Sequence, residues 1–231
     1  MATDVTDLAS VRRLASATME RFGRVDVVCN NAGVGPMAPV ARLTMDDWRW
    51  MIDVNLYGVV HGVHVFLPLL EANPEGGRLM NTASMAGLAP VAGLGAYALA
   101  KAGVIAMTEV LADELRDAGS GVRATVLCPG AVRTRIQESR RNRPRVGDEA
   151  LVDVDITDRM AERGLHFISP DQAGAAAVAA LRTGSLYAIT HPEWYPQVQA
   201  RQERLAAAFA SSPEASPPPH HVENLPDAGG A

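Results

Sequence analysis

The sequence contains few cysteines and few aromatic side chains. Two of its 231 residues are cysteine, and 5% are aromatic. Cys29 and Cys128 each end an apolar, strand-like run, so both are interpreted as small hydrophobic residues that become buried. Neither belongs to a set of residues with zinc-ligand spacing. We therefore expect no metal centre in this protein.

Positive charge and long apolar runs are also scarce. The formal net charge is −5 and the isoelectric point is about 5.7, a balance that disfavours binding to nucleic acid. The longest apolar stretch, residues 59–70, is interrupted by His61, His64 and Pro68 and is too short to span a bilayer. The first residues are polar and do not resemble a signal peptide. These features predict a cytoplasmic protein with no nucleic-acid or membrane partner.

Aliphatic residues are abundant and recur in two patterns. Hydrophobic residues make up 48% of the chain, enough to fill the core of one domain. Short strand-like runs occupy residues 25–29, 78–83, 122–128 and 186–190. Helical patterns occupy residues 7–22, 44–70 (one long helix or a broken pair), 94–118, 170–182 and a last segment that ends near residue 210. This alternation predicts an α/β fold with a doubly wound parallel sheet between two layers of helices.

Two segments depart from the alternation of strands and helices. Residues 133–165 are polar and irregular. Residues 211–231 are rich in serine, proline and glycine and cannot form a core, so they are predicted to be a disordered tail. The sequence therefore indicates one folded domain, residues 1–210, followed by the tail.

Tyr97, Lys101 and Ser84 form the most informative pattern. Tyr97 and Lys101 are four residues apart in a predicted helix and share one of its faces. A free tyrosine has a pKa of about 10, and a neighbouring ammonium lowers that pKa towards the range where acid–base catalysis is efficient. Ser84 follows a predicted strand, where its hydroxyl could hold a substrate oxygen. The three residues together predict proton transfer to or from an alcohol or carbonyl, although the Tyr-Lys spacing alone also fits a surface pair.

Further motifs accompany these three residues in a fixed order. They are Asn30-Asn31-Ala32-Gly33, Asn55, Pro129-Gly130 and Thr134. The whole set resembles the short-chain dehydrogenase/reductase family over residues 4–195. The resemblance implies a Rossmann-type fold, NAD or NADP as cofactor, and a small-molecule secondary alcohol or ketone as substrate. It also implies a homodimer or homotetramer in which the helices near residues 50–70 and 94–118 pair.

The resemblance assigns catalytic roles to four residues. Tyr97 is the general acid and base, Lys101 lowers its pKa and binds the nicotinamide ribose, and Ser84 hydrogen-bonds the substrate oxygen. Asn55 ties a water molecule into the relay that reprotonates Tyr97. Two simpler roles stay open: Ser84 as a cap at the end of a strand, and Asn55 as a helix residue that bonds to backbone.

The resemblance also implies a set of cofactor contacts. The adenine side is assigned to the first residues, the adenosine ribose to residues 30–33, and the nicotinamide to residues 129–134. The complete set is Asp4, Val5, Asn30, Asn31, Ala32, Gly33, Tyr97, Lys101, Pro129, Gly130, Val132 and Thr134. Thr134 could instead cap the following segment, and Asp4 could lie in a frayed terminus.

One motif of the family has no counterpart in the sequence. Members usually begin with a strand and a turn of the form Thr-Gly-x-x-x-Gly-x-Gly, which brings backbone close to the cofactor pyrophosphate at a helix N-terminus. No such turn occurs here. We therefore expect an N-terminally truncated three-layer sandwich in which the strand at residues 25–29 is an exposed edge. The sequence either begins inside a longer active enzyme or belongs to a non-catalytic remnant that binds dinucleotide poorly or not at all.

An arginine-rich segment lies where the family covers its substrate. Its arginines are Arg133, Arg135, Arg140, Arg141, Arg143 and Arg145. An acidic substrate or a cofactor phosphate would explain them, and so would a solvated basic loop. The substrate itself and the preference between NAD and NADP stay open, because the strand that usually selects the cofactor is not in the sequence.

Overall fold

A computed structural model describes residues 1–144, 150–155 and 166–212. Its centre is a sheet of four parallel strands in the order β1-β2-β3-β4. The strands are β1 (Val27–Asn30), β2 (Arg78–Thr82), β3 (Arg123–Cys128) and β4 (Tyr187–Ile189). Each strand overlaps a run predicted from the sequence, so the predicted parallel α/β architecture is confirmed.

The described helices lie before, between and after the strands in the chain. They are α1 (Leu8–Phe22), α2 (Met45–Ile52), α3 (Gly58–Glu71), α4 (Met85–Leu88), α5 (Gly95–Asp117), α6 (Pro170–Thr183) and α7 (Tyr195–Ala210). Successive side chains of a strand point to opposite faces. In β2, Leu79 packs with α1, α3 and α5, whereas the next residue, Met80, packs against α6. The sheet therefore lies between two layers of helices.

The segment predicted as one long helix or a broken pair is continuous. A π-helical turn, Asp53–Tyr57, joins α2 to α3, and such turns are frequent at functional sites because they re-aim side chains. Met45–Glu71 and Gly95–Asp117 are both long and apolar enough to cross a bilayer, a test that core helices of soluble proteins also pass. Here both segments supply buried residues to the apolar clusters of the fold.

Strand β1 lies at one edge of the described sheet, which agrees with the expected exposed edge. Val27 is 51% exposed. Cys29 is exposed as well, so its predicted burial is wrong, whereas Cys128 is buried as predicted. The reason is that Val27 and Cys29 line an open groove of about 340 Å³ that runs beside α1 and α3.

Two segments lie partly outside the described residues. The polar segment predicted as irregular contains a 3₁₀-helical stretch, Arg135–Asn142, and residues 145–149 and 156–165 of it lie outside the described residues. The chain forms two compact units, Met1–Trp194 and Tyr195–Ala231. The second begins with α7, and all but residues 211–212 of the predicted tail lie outside the described residues.

Candidate active site

The chemistry-bearing residues meet where the parallel strands end. Ser84 follows β2, and Pro129 follows β3 directly. Tyr97 and Lys101 lie in the first two turns of α5. Ends of adjacent parallel strands lie at one edge of a sheet, which is where open α/β folds bind their ligands.

Ser84 connects the ends of two strands. It is the N-cap of α4, since its Oγ accepts the Ala86 N–H at 3.1 Å. The same hydroxyl lies 3.4 Å from the Pro129 carbonyl, to which it donates. A hydrogen bond also joins it to Tyr97. The capping role left open by the sequence is therefore present, together with the predicted proximity to Tyr97.

The pKa of Tyr97 is raised, because burial disfavours the phenolate more than the hydrogen bond with Ser84 favours it. Lys101 Nζ lies 5.6 Å from the centre of the Tyr97 ring and donates to the Thr82 carbonyl at 2.7 Å. The net direction is opposite to the predicted lowering by Lys101. Desolvation of the phenol outweighs an ammonium that faces the ring and bonds elsewhere.

Lys101 itself is almost fully buried, with 2% of its surface exposed. Burial lowers its pKa to about 8, although the electrostatic influence of Cys128 opposes this. A lysine with such a pKa is partly neutral near physiological pH. It can therefore gain or lose a proton when a charged or polar ligand enters the site.

Asn55 is fully buried in the π-helical turn. Its Nδ2 donates to the carbonyls of Val34 and Met51, each at 3.0 Å. Its Oδ1 accepts the Val34 N–H at 3.1 Å. The structure thus shows the backbone-bonding role that the sequence left open, and the water-relay role stays a prediction.

The Asn-Asn-Ala-Gly motif divides between two places. Asn30 Nδ2 donates to Asn81 Oδ1 at 2.8 Å, and Asn31 Oδ1 accepts the Thr82 hydroxyl at 3.0 Å. These two residues and Ala32 line the groove beside β1. Gly33 lies instead beside Asn55 and Lys101, since a Cβ placed there would be 3.0 Å from Asn55 Oδ1 and 3.6 Å from Lys101 Nζ.

The segment after β3 forms the opposite side of the site. The Pro129 carbonyl accepts the Met85 N–H at 2.9 Å. Val132 pairs with Ile168 as an isolated parallel bridge. Thr134 caps the 3₁₀ stretch, its Oγ1 accepting the Ile136 N–H at 3.4 Å, which is the alternative role the sequence allowed.

Asp4 and Val5 are ordered parts of the fold. Asp4 Oδ1 accepts the N–H of Thr6 at 2.9 Å and its hydroxyl at 2.8 Å. Val5 packs against Gly58 and its carbonyl lies 2.9 Å from His61 Nδ1. Of the two, Val5 lines the groove beside β1.

His191 is a neighbour of the site that the sequence did not indicate. It is fully buried and its Nδ1 lies 3.2 Å from the Gly130 nitrogen, which donates to it. A Cβ at Gly130 would be 2.6 Å from the imidazole Cγ. Burial is the main cause that lowers the pKa of His191. Its place directly after β4, at the edge where the other strands also end, is the one signal in the sequence that could have indicated it.

Three arginines of the arginine-rich segment are paired with acidic residues and are therefore not open to an anion. Arg135 and Arg141 lie beside Glu138, and Arg143 pairs with Asp47. Arg145 lies outside the described residues. These pairings favour a structural role of the segment over recognition of an acidic substrate.

Similarity to known proteins identifies the family of this chain. The family model described as short chain dehydrogenase matches residues 1–145. The chain belongs to this family. Its relatives include a CLA biosynthesis dehydrogenase/reductase from Lactiplantibacillus plantarum, 29% identical over 87% of this chain and 73% of the relative. An uncharacterised oxidoreductase of Staphylococcus saprophyticus is 34% identical over 83% of this chain and 70% of the relative.

Solved structures of the short-chain dehydrogenase family agree with the fold. A short-chain dehydrogenase/reductase from Burkholderia phymatum, crystallised in complex with NAD, superposes with a TM-score of 0.83 at 33% identity. The match covers 94% of this chain and 79% of that chain. A short-chain dehydrogenase from Novosphingobium aromaticivorans gives a TM-score of 0.74 at 27% identity, over 93% of this chain and 70% of that chain.

Proposed function

We propose that this protein is an oxidoreductase that transfers a hydride between NAD or NADP and a secondary alcohol or ketone. The observation that carries the proposal is the cluster of Ser84, Tyr97 and Lys101. Ser84 is hydrogen-bonded to Tyr97, and the buried ammonium of Lys101 lies 5.6 Å from the ring centre of Tyr97. Family membership and the NAD complex of the Burkholderia phymatum relative support the proposal.

The protein residues would bind, orient and move a proton, while the nicotinamide supplies or accepts the hydride. Ser84 Oγ donates a hydrogen bond to the substrate oxygen and so fixes it beside Tyr97. The Tyr97 hydroxyl gives its proton to that oxygen in reduction and takes it back in oxidation. The raised pKa of Tyr97 keeps the phenol protonated at neutral pH, which suits the direction of carbonyl reduction.

The residues beside Lys101 fit the nicotinamide half of the cofactor. Gly33 has no side chain, which leaves the backbone accessible next to Lys101 Nζ and Asn55. Lys101 offers a buried donor for ribose hydroxyls. The backbone turn at Pro129 and Gly130 borders the same space from the end of β3. The arrangement supports binding of NAD or NADP without favouring either.

The second candidate is a fold that keeps the catalytic cluster but does not bind a dinucleotide. The observation that favours it is that the sequence has no Gly-rich turn for the pyrophosphate. The presence of a further segment that carries such a turn stays a prediction. Titration with NADH and with NADPH, followed by fluorescence, separates the candidates. Micromolar binding of either is the expected result, and the absence of binding up to millimolar concentration would support the second candidate.

We also propose that the protein forms a homodimer or homotetramer through α3 and α5. Tyr57, Leu99 and Val110 lie at or on these helices and expose about half of their surface, at 51%, 49% and 56%. Exposed apolar residues on a helix surface are typical of contacts between subunits.

A further inference from the structure

A buried ion pair lies next to the candidate active site and has no part in the chemistry proposed above. Asp47 is fully buried and Arg143 is 8% exposed. Arg143 Nη1 donates to Asp47 Oδ1 at 2.5 Å, and the guanidinium lies over the ring of Trp50 at 5.3 Å. Burying two charges is costly, and such pairs are weak evidence for stability but can specify one arrangement of the chain.

The carboxylate of Asp47 holds three segments together. Its Oδ2 accepts the Thr44 N–H at 2.8 Å, which completes the capping box of α2. The same oxygen accepts the Ala150 N–H at 3.3 Å. Arg143 and Ala150 stand on either side of residues 145–149, which lie outside the described residues. One side chain of α2 therefore fixes the chain both before and after that gap.

The pKa of Asp47 agrees with this arrangement. Burial alone would raise the pKa, but hydrogen bonds from Thr44, Arg143 and Ala150 together lower it. The carboxylate is therefore ionised throughout the neutral range, and the ion pair persists there.

The chain held by Asp47 packs beside the catalytic tyrosine. We name residues 135–144 and 150–153 the strap. Leu151 of the strap is 2% exposed and belongs to the apolar cluster of Met51 and Ala96, against which Tyr97 packs. Val152 pairs with Met37 through two backbone hydrogen bonds, at 2.8 and 2.9 Å.

The strap also contacts the loop that carries Gly33. Ser139 Oγ accepts the Gly35 N–H at 2.9 Å. The strap is thus attached to the loop at residues 33–38 on one side and to α2 on the other. Anything that loosens the attachment to α2 loosens the apolar surface next to Tyr97.

We propose that Asp47 and Arg143 are positioning residues that hold the strap in place, so that the buried Leu151 supports the apolar cluster beside Tyr97, next to which the substrate binds. This inference rests on the proposed function. It assigns to the pair an effect on substrate binding and not on the proton transfer itself.

The test compares Asp47→Asn with Asp46→Asn, its neighbour in the same first turn. Asp46 is exposed and pairs with Arg49 at 2.8 Å, so it controls for loss of one charge at the start of α2. Because Asp47→Asn removes one charge of a buried pair, the double variant Asp47→Asn/Arg143→Gln, which removes both charges of the pair, is measured as well.

Two readouts decide the outcome. Amide hydrogen exchange in peptides covering residues 139–144 and 150–153 is expected to rise about tenfold or more in both Asp47 variants and to stay unchanged in Asp46→Asn. In turnover assays, KM for the carbonyl substrate is expected to rise about fivefold or more while kcat and the Kd of the cofactor change less than about twofold. Arg143→Lys, which keeps the charge, should raise KM less than the single variant Arg143→Gln does.

Three results would overturn the inference. Unchanged exchange in the strap of both Asp47 variants would show that the pair does not hold it. Increased exchange throughout the sheet, or an equal loss of kcat and kcat/KM, would show a merely structural role. Should the wild-type protein show no turnover at all, the proposed function fails, and the exchange experiment still decides whether the pair anchors the strap.

Discussion

At the scale of single residues, Lys101 is the most informative side chain. It is the only lysine in the sequence, and it is buried with a pKa lowered to about 8 by loss of water. All other long cationic side chains are arginines, which stay charged at every accessible pH. The only side-chain amine of the sequence therefore lies beside the candidate acid–base tyrosine.

Because the sequence contains one lysine, the pKa of Lys101 is directly measurable. In a sample labelled with ¹⁵N or ¹³C only in lysine, one side-chain NMR signal is expected, and it should titrate with a midpoint near 8, against about 10.4 for an unfolded chain. Because the folded pKa lies below the unfolded one, this group favours folding fully above the unfolded value, and that contribution is lost as the pH falls through 8. A midpoint near 10 would show that the ammonium is hydrated in the folded protein.

At the scale of elements, α3 approaches β1 so closely that one glycine is required. A Cβ at Gly62 would overlap the side chain of Asn30, which is bonded to Asn81 at 2.8 Å. Gly174, in α6, has no atom within 4 Å of such a Cβ. Both glycines lie inside helices, so they form a matched pair.

Gly62→Ala is expected to destabilise the protein by about 1–3 kcal/mol through overpacking. Gly174→Ala is expected to stabilise it by about 0.5–1 kcal/mol, because alanine is the better helix former. Urea unfolding at constant m-value measures both changes. Equal effects of the two substitutions would contradict the close approach of α3 to β1.

The sequence predicted most elements because local signals and tertiary structure agree in them. Thr44 before Asp46 and Asp47 marks the start of α2, and Ser169 before Pro170 marks the start of α6. The proximity of Tyr97 and Lys101 could be predicted for a similar reason, since the two residues are close in the chain. The predicted burial of Cys29 was wrong. The exposure of β1 depends on the elements that lie beside it, and a run of apolar residues does not specify those elements.

The parts that could not be predicted depend on contacts distant in sequence. Asp47 and Arg143 are 96 residues apart, and each alone reads as an ordinary surface charge. The predicted direction of the pKa shift of Tyr97 was wrong for the same reason. The burial that raises this pKa results from the packed fold, and the tyrosine–lysine spacing does not indicate it.

At the scale of the whole molecule, the proposed assembly leads to a test on α5. Val110 is 56% exposed on this helix, and Val178 is 47% exposed on α6, on the other face of the sheet. Val110→Lys is expected to lower the mass measured by multi-angle light scattering towards that of one chain, because a charge at a subunit interface is costly. Val178→Lys is the control for added charge and should leave the dimer unchanged; a wild-type monomer would contradict the proposed assembly.

The most direct test of the central claim is the turnover of Tyr97→Phe beside Tyr57→Phe. Both changes remove one hydroxyl, but Tyr57 is 51% exposed, whereas Tyr97 is bonded to Ser84. With NADH or NADPH and a panel of ketones, Tyr97→Phe is expected to reduce kcat about 100-fold or more, as loss of a general acid does, with the Kd of the cofactor nearly unchanged. Tyr57→Phe should keep the wild-type rate. Retention of more than about a tenth of the wild-type kcat in Tyr97→Phe would contradict proton transfer by this residue.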